Sequence, residues 1–296
     1  MGCGIVVRTL APLLDSKLTD PAVIVMDEAG KFAISLVSGH LGGANELARK
    51  VAGITGGQAV ITTASDLQDK IAVDLIAQRA GLRIENPRML SRAAAAVLDD
   101  EPLWLYDPHE LFTKHLPAFH RFQVISSGSA GDEGNGRDLI EKNLPRLRAG
   151  LGIWVSELIA PPRVTCLRLR PASLVLGIGC NRGTAAQEII GLVEQVLEER
   201  GLSPLSIKTF ASVDLKSDEA GLIEAARYFK SPILFFKREE IQSISVPNPS
   251  RTVARHIGVE SVCEASAMLS AGSGKLLVSK RKSKNCTLAI ARASCS

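Results

Sequence analysis

The strongest constraint on the fold is a strand, a glycine-bearing turn and a helix that follow one another directly. An apolar alternation over residues 32–36 predicts a strand, and residues 44–51 have the periodicity of a helix. The turn between them contains His40, Gly42 and Gly43. The free amide groups and the positive dipole end of the helix point into this turn, so we predict a site there for a carboxylate or an oxyanion.

The last third of the chain repeats this order. A buried strand is predicted over residues 173–179, followed by a turn over 180–184 and a long helix that ends at Gly201. Alternating strands and helices are typical of an α/β fold, in which helices cover a mainly parallel sheet and ligands bind beyond the carboxyl ends of the strands. Both glycine turns follow such strand ends.

The sequence predicts two α/β domains with mainly parallel sheets, joined by a small mixed middle unit. At 296 residues the chain is long enough for two domains. The predicted parts are an N-terminal α/β domain over residues 1–86, a variable middle region over 87–171 and a C-terminal α/β domain over 172–296.

Local patterns predict the remaining elements. Residues 5–7 fit either a strand or the start of a short helix, and Ser217 is predicted to cap a helix. A helix over 66–80 is predicted to turn Ile71 and Leu75 inward. Further strands are predicted at 58–62, 103–106, 122–125, 152–157, 164–169, 207–211, 232–237, 275–279 and 286–291, the last two as a hairpin. A loop is predicted at 126–136, and helices at 237–243, 250–257 and 260–271.

Composition excludes several classes of protein. With 46% hydrophobic and 22% charged residues, the chain resembles a packed globular protein and not a disordered one. A net charge of +4 permits an acidic ligand without requiring nucleic acid, and 4% aromatic residues are too few for a base-stacking surface. We expect neither nucleic acid nor a membrane as a partner, since no apolar run approaches the roughly 18 residues of a spanning helix.

The cysteines give no sign of a metal site. Six of them are scattered singly, and neither a CxxC pair nor a Cys/His metal-binding spacing occurs. The N-terminus also lacks the basic and apolar regions of a secretory signal peptide. We therefore expect reduced, mostly buried thiols in a cytoplasmic protein without a metal site of its own.

Motifs in the first and last blocks occur together and in a fixed order. The most specific are the segments 38–45, 62–66, 177–180, 182–184 and 211–216. They resemble the cobalt-precorrin-5A hydrolase family of anaerobic cobalamin (vitamin B12) biosynthesis. The resemblance implies a three-part protein whose N-terminal domain is shortened, because family members usually carry more sequence before the position of Gly4.

The resemblance also implies a reaction. The family's substrate is a cobalt-containing tetrapyrrole in which the ring-A acetate forms a δ-lactone with a bridging carbon. The family's enzymes are hydrolases that open this lactone and release the two-carbon bridge as acetaldehyde, which gives cobalt-precorrin-5B and contracts the ring. Cobalt is then carried by the substrate, with no cofactor intrinsic to the protein. Neighbouring pathway methyltransferases and a homodimer are the further partners that the resemblance leaves open.

His40 is the predicted base for this chemistry. Attack of water on a lactone carbonyl needs a base and hydrogen-bond donors for the developing oxyanion. His40 is the only histidine inside a glycine turn at a strand end. The amides near Gly42, Gly43 and Ala44 are predicted either to supply these donors or to bind a peripheral carboxylate of the substrate. Asp66 is predicted either to orient His40 or to act as the base itself. A purely structural role for His40 stays open at this point.

The remaining substrate contacts are predicted at strand ends in both α/β blocks. They are Asn45, Thr62 and Thr63 in the first block, and Gly179, Cys180, Lys216 and Glu219 in the second. Several have a structural alternative: Asn45 could cap its helix, and Lys216 and Glu219 could form an ion-pair network with Asp214. We expect the substrate in the cleft between the two blocks.

Two other functions compete with a hydrolase. The C-terminal block also resembles a small stand-alone domain found beside the aerobic cobalamin pathway, so a non-catalytic tetrapyrrole-binding or carrier protein is the main alternative. The hypothesis of a nucleotide-binding enzyme is supported by the fold type alone, because neither of the phosphate-binding motifs GxxxxGK[ST] and GxGxxG after a strand occurs.

Overall fold

The computed structural model describes residues 2–15, 19–40, 42–63, 71–117, 121–125, 136–248, 261–272 and 275–293. The chain divides into two compact units, Met1–Trp154 with Pro162–Arg168, and Val155–Pro161 with Leu169–Ser296. Among the described residues, no helix is long and apolar enough to cross a membrane.

Strands and helices alternate along much of the chain. The strands are β1 (Val23–Met26), β2 (Phe32–Val37), β3 (Gln58–Val60), β4 (Arg83–Ile84), β5 (Trp104–Tyr106), β6 (Gln123–Ile125), β7 (Gly152–Val155), β8 (Cys166–Arg170), β9 (Leu174–Cys180), β10 (Ile207–Val213), β11 (Ile233–Phe236), β12 (Leu276–Lys282) and β13 (Cys286–Arg292). The helices are α1 (Cys3–Leu10), α2 (Ala44–Thr55), α3 (Val73–Arg79), α4 (Arg88–Leu98), α5 (Gly136–Arg148), α6 (Ala186–Arg200), α7 (Ala220–Tyr228), α8 (Arg238–Gln242) and α9 (Val262–Ala271).

The first unit contains a three-stranded sheet in the order β1-β2-β3, in which β1 is antiparallel and β3 parallel to β2. Helix α2 packs on this sheet through Ala48 and Ala52, which contact Ala33. Gly43 and Gly56 bound the helix with φ angles of 86° and 69°, in the left-handed region that favours glycine. Because β2 and β3 are parallel, the turn after β2 and the segment after β3 lie at the same edge of the sheet.

A five-stranded sheet in the order β4-β8-β7-β5-β6 lies mainly in the same unit. Strand β5 is parallel to both β6 and β7. Its core includes the stacked rings of Tyr106 and Trp154, whose centroids are 4.1 Å apart. Helix α3, which precedes β4, buries Val73, Ile76 and Ala77 at the i, i+3, i+4 spacing of one helical face.

The second unit is built on a five-stranded sheet in the order β11-β10-β9-β13-β12. Strand β10 is parallel to β9 and β11, whereas β13 is antiparallel to β9 and β12. Alternate residues of β9 face opposite sides, so Leu176 packs with α6 and α7 while Val175 packs with α9. Helix α9 comes so close to β9 that a Cβ on Gly177 would lie 1.8 Å from the Cys263 carbonyl oxygen.

The α/β fold with mainly parallel sheets is confirmed, as are the strands predicted in the middle region. Residues 5–7 lie in α1, which decides for the helix alternative. The terminal hairpin is confirmed as β12 and β13. The predicted loop at 126–136, except its last residue, and the predicted helix at 250–257 lie outside the described residues.

Two predictions about elements are wrong, and three elements were not predicted. The helix predicted from residue 66 begins only at Val73 in the described part, so its buried face is shifted away from Ile71 and Leu75. Ser217 does not cap a helix, because Glu219 occupies the N-cap position of α7. Strand β1 and helices α4 and α5 were not predicted: β1 has only four residues, α4 buries mainly small alanine side chains, and α5 contains Pro145.

Candidate functional site

The turn that follows β2 is tightly constrained by its backbone. Ser38 adopts a φ of 56°, which a non-glycine residue rarely takes. A Cβ on Gly42 would lie 2.4 Å from the Ser38 Cβ and 2.9 Å from the Ser38 carbonyl oxygen. Only glycine therefore fits at position 42 without moving the turn, and His40 sits between these two fixed points.

Hydrogen bonds inside the turn use some of the amides predicted to bind an oxyanion. The Gly43 amide donates to the His40 carbonyl at 2.9 Å, and the Ala44 amide donates to the Ser38 carbonyl at 3.1 Å. The proposed donor role of Gly43 and Ala44 is therefore corrected, because both N–H groups already hold the turn together. Gly42 stays a predicted donor.

His40 is paired with a carboxylate that the sequence did not single out. Its Nδ1 lies 3.5 Å from Oδ1 of Asp74, and the two side chains are only 13% and 16% exposed. The same Asp74 oxygen accepts the Leu75 amide at 3.0 Å, in the first turn of α3. Asp66, the predicted partner of His40, lies outside the described residues.

Asn45 and Thr63 are brought together, as their predicted position at neighbouring strand ends requires. The buried Asn45 side chain accepts a hydrogen bond from the Ser35 hydroxyl at 2.6 Å and donates to the Thr63 hydroxyl at 3.0 Å. Asn45 is not the cap of α2, because Gly43 holds that position. Thr62 is exposed beside this network.

In the second unit, Lys216 and Glu219 form a buried ion pair. Their side chains approach to 3.2 Å and are 10% and 5% exposed. Glu219 also accepts the Gly183 amide at 3.0 Å, and Arg182 lies 3.4 Å from it. Asp214 accepts the Leu215 amide instead, so the ion-pair alternative fits Lys216 and Glu219 but not Asp214.

The environment of Glu219 stabilises its charged form. Burial alone would raise the pKa of Glu219, but the Gly183 amide, Lys216 and Arg182 together lower this pKa below the usual glutamate value. The charged Glu219 therefore balances the positive charge of Lys216. This favours a structural role for Lys216 over direct binding of a substrate carboxylate. Arg182 pairs with Asp218 at 2.7 Å and is 66% exposed, so it is the accessible cation of this cluster.

Cys180 and Gly179 end β9 beside the paired strand β13. Cys180 stands opposite Cys286, and the Thr287 hydroxyl donates to the Gly179 carbonyl at 3.1 Å. Burial raises the pKa of the Cys180 thiol, an effect that Lys216 opposes and Glu219 reinforces, and burial raises the pKa of Cys286 to about 12. Both thiols are therefore protonated near neutral pH, which is unsuited to a nucleophile.

Asp74 and Arg182 are candidate site residues that the sequence did not single out. Arg182 lies in one of the quoted motifs, but its role depends on contacts with α7 that the motif does not reveal. Asp74 had no signal beyond its place inside a predicted helix. Within the described part of the chain, no group of three or more His, Cys, Asp or Glu residues could hold a metal ion.

Comparison with known proteins identifies the family. Three family sequence models match the chain: Cobalamin synthesis G N-terminal over residues 1–66, Cobalamin biosynthesis central region over 71–171 and Cobalamin synthesis G C-terminus over 174–291. A protein of Priestia megaterium named cobalt-precorrin-5A hydrolase is 36% identical over 97% of this chain and 76% of its own length. The chain belongs to the cobalt-precorrin-5A hydrolase family.

Two further relatives extend this comparison. The cobalt-precorrin-5A hydrolase of Salmonella typhimurium is 34% identical over 97% of this chain and 79% of its own length. Protein CobE of a Sinorhizobium species is 36% identical over 40% of this chain and 80% of its own length. In this chain, the His40–Asp74 pair joins a residue matched by the N-terminal model to one matched by the central-region model.

Proposed function

We propose that this chain is a cobalt-precorrin-5A hydrolase. It opens the ring-A acetate δ-lactone of a cobalt tetrapyrrole and releases the two-carbon bridge as acetaldehyde, giving cobalt-precorrin-5B. The observation that carries this proposal is the 36% identity to a protein of that name over 97% of the chain. The constrained turn that holds His40 against a carboxylate gives the proposal a chemical basis.

His40 acts as general base in the first step. It accepts a proton from water as the water oxygen attacks the lactone carbonyl. The tetrahedral intermediate then breaks its bond to the lactone oxygen, which takes the proton from His40, so that a free acetate arm and a hydroxyl on the bridging carbon result. Breaking the carbon–carbon bond to the bridge leaves an electron pair on the macrocycle, which the conjugated ring and the substrate's cobalt accept. The protein therefore contributes mainly a base and the positioning of the substrate.

Peripheral carboxylates of the substrate need donors and cations. In the first unit we assign this role to the exposed Thr62, to Thr63 and to the Gly42 amide. In the second unit, the guanidinium of Arg182, which stays exposed although it pairs with Asp218, is one cation that a carboxylate can reach, while the buried Lys216–Glu219 pair holds the surrounding turn. Gly179 and Cys180, at the carboxyl end of β9, stay predicted contacts of the substrate.

Acetaldehyde release tests this function. The purified chain, mixed with cobalt-precorrin-5A, is expected to release one equivalent of acetaldehyde, measured by coupled reduction with alcohol dehydrogenase and NADH. The tetrapyrrole product is identified by its mass. A tetrapyrrole that binds but yields neither aldehyde nor a ring-opened lactone would reject the hydrolase proposal.

The second candidate is a carrier that binds the tetrapyrrole without reacting. Its support is the similarity to Protein CobE, a separate protein that matches 40% of this chain. Tight binding without aldehyde in the same experiment favours the carrier. A cytoplasmic location, a homodimer and contacts with neighbouring pathway methyltransferases stay predictions.

A further inference from the structure

Asp74 lies where a carboxylate can control the proposed base. Its Oδ1 is 3.5 Å from the His40 Nδ1, which is within ion-pair range. The side chains are 16% and 13% exposed, so water screens their interaction less than it would screen a pair on the surface. The two residues come from separate elements, the turn after β2 and the first turn of α3.

The carboxylate of Asp74 is itself held in place. Its Oδ1 accepts the Leu75 amide at 3.0 Å, and the positive dipole end of α3 favours a negative charge there. The neighbouring Val73, together with Ile76 and Ala77, buries one face of the helix and limits its movement. On the other side, the Gly43 amide fixes the His40 carbonyl at 2.9 Å.

We propose that Asp74 is a positioning residue that holds His40 in the tautomer protonated at Nδ1. This inference rests on the proposed function, in which His40 is the base. With the proton on Nδ1 directed to Asp74, the Nε2 lone pair takes the proton from the attacking water. The carboxylate also stabilises the imidazolium that this transfer creates, as an orienting carboxylate does in other base–carboxylate pairs.

The test compares three variants of the full chain. Asp74→Asn keeps the shape of the side chain but removes its charge, and we expect kcat to fall about 100-fold with KM changed less than about twofold. Asp74→Glu restores the carboxylate and is expected to recover activity above that of Asp74→Asn. The control is Asp100→Asn, which removes an exposed carboxylate that pairs with Arg121 and is expected to keep full activity.

Imidazole nitrogen chemical shifts give a readout that does not depend on turnover. In the unmodified protein, the His40 signals should show Nδ1 protonated, and in Asp74→Asn they should shift towards a mixture of tautomers. Folding of each variant is checked by its melting temperature. If Asp74→Asn does not fold, Asp74→Ser, which also removes the carboxylate, carries both the kinetic and the NMR test.

The outcomes separate the two proposals. Full kcat and unchanged nitrogen shifts in Asp74→Asn would overturn the role of Asp74, even if His40→Ala is inactive. The same holds for Asp74→Ser if that variant is used in its place. Full activity of His40→Ala would instead remove the base on which the inference rests, while the tautomer shift in Asp74→Asn would still establish the contact.

Discussion

At the residue scale, Asn45 connects the two strand ends beside the candidate base. It is 4% exposed and bonds to hydroxyls on either side, those of Ser35 in β2 and Thr63 after β3. A Cβ on Gly39 would lie 2.7 Å from its Oδ1, so the backbone of the turn also packs against it. The contacts indicate that Asn45 supports the site by fixing Thr63 and the turn that carries His40.

Replacing Asn45 with Ala is expected to destabilise the protein by about 2 kcal/mol, because two part-buried hydroxyl groups lose their partner. Urea unfolding at equilibrium measures this loss. A double-mutant cycle with Ser35→Ala serves as the control and is expected to show a coupling of about 1 kcal/mol. Strictly additive losses would mean that the Ser35–Asn45 hydrogen bond contributes nothing.

At the scale of elements, the turn after β9 is held to the start of α7 by charge. The Glu219 carboxylate binds Lys216 at 3.2 Å and the Gly183 amide at 3.0 Å, and Arg182 lies nearby. A Cβ on Gly221 would lie 2.0 Å from the Thr184 carbonyl oxygen, so the backbone segments are also in direct contact. The ion pair therefore fixes the geometry of the turn that presents Arg182.

This arrangement predicts a pH-dependent loss of stability. Because the pKa of Glu219 is lower in the folded protein than in the unfolded chain, its contribution is present above the unfolded value, near 4.3, and is lost as the pH falls through the folded value. At pH 7, Glu219→Gln should lower the free energy of unfolding by about 3 kcal/mol, since it leaves Lys216 buried without a counter-charge.

Urea unfolding at a series of pH values checks this prediction, and the difference from the unsubstituted protein should shrink below about pH 4. Glu224→Gln is the matched control, because Glu224 is exposed in the same helix. Its effect should stay within about 0.5 kcal/mol at every pH. A Glu219→Gln loss that does not change with pH would contradict the ion-pair explanation.

The elements that could be predicted from the sequence are those whose signal is local. Strand β2 and helices α2 and α6 show clear periods, β9 is a mostly apolar run, and glycine turns connect each strand to its helix. Helix α5 contains Pro145 and a polar surface, which hid its period. The start of α3 was misplaced because Ile71 and Leu75 have the spacing of one helical face, whereas α3 begins after Ile71 and buries a different face.

The candidate site could be predicted only in part for a similar reason. The position of His40 in a constrained turn follows from nearby glycines. The contact with Asp74 depends on where α3 packs, which no local pattern specifies. The turn amides were predicted as free donors, but Gly43 and Ala44 bond to carbonyls of the same turn, a detail that requires coordinates.

At the scale of the whole molecule, the two compact units carry different kinds of polar cluster. The first unit holds His40 against a carboxylate in a turn of strained backbone, the arrangement expected of a base. The second unit holds the buried Lys216–Glu219 ion pair, whose charges compensate each other. Arg182 lies beside this pair and is exposed to solvent. Under the proposed function, the first unit supplies the base, and Arg182 of the second unit is a candidate contact for a carboxylate.

Turnover of cobalt-precorrin-5A by His40→Ala tests whether His40 is the general base of the reaction. Acetaldehyde release is measured in a single turnover with enzyme in excess, binding is followed by the tetrapyrrole absorbance, and His109→Ala, which alters an exposed histidine, is the control. The account predicts that His40→Ala binds the tetrapyrrole but releases acetaldehyde at least about 100-fold more slowly, while the control is unaffected. Release by folded His40→Ala at the rate of the unsubstituted protein would contradict it.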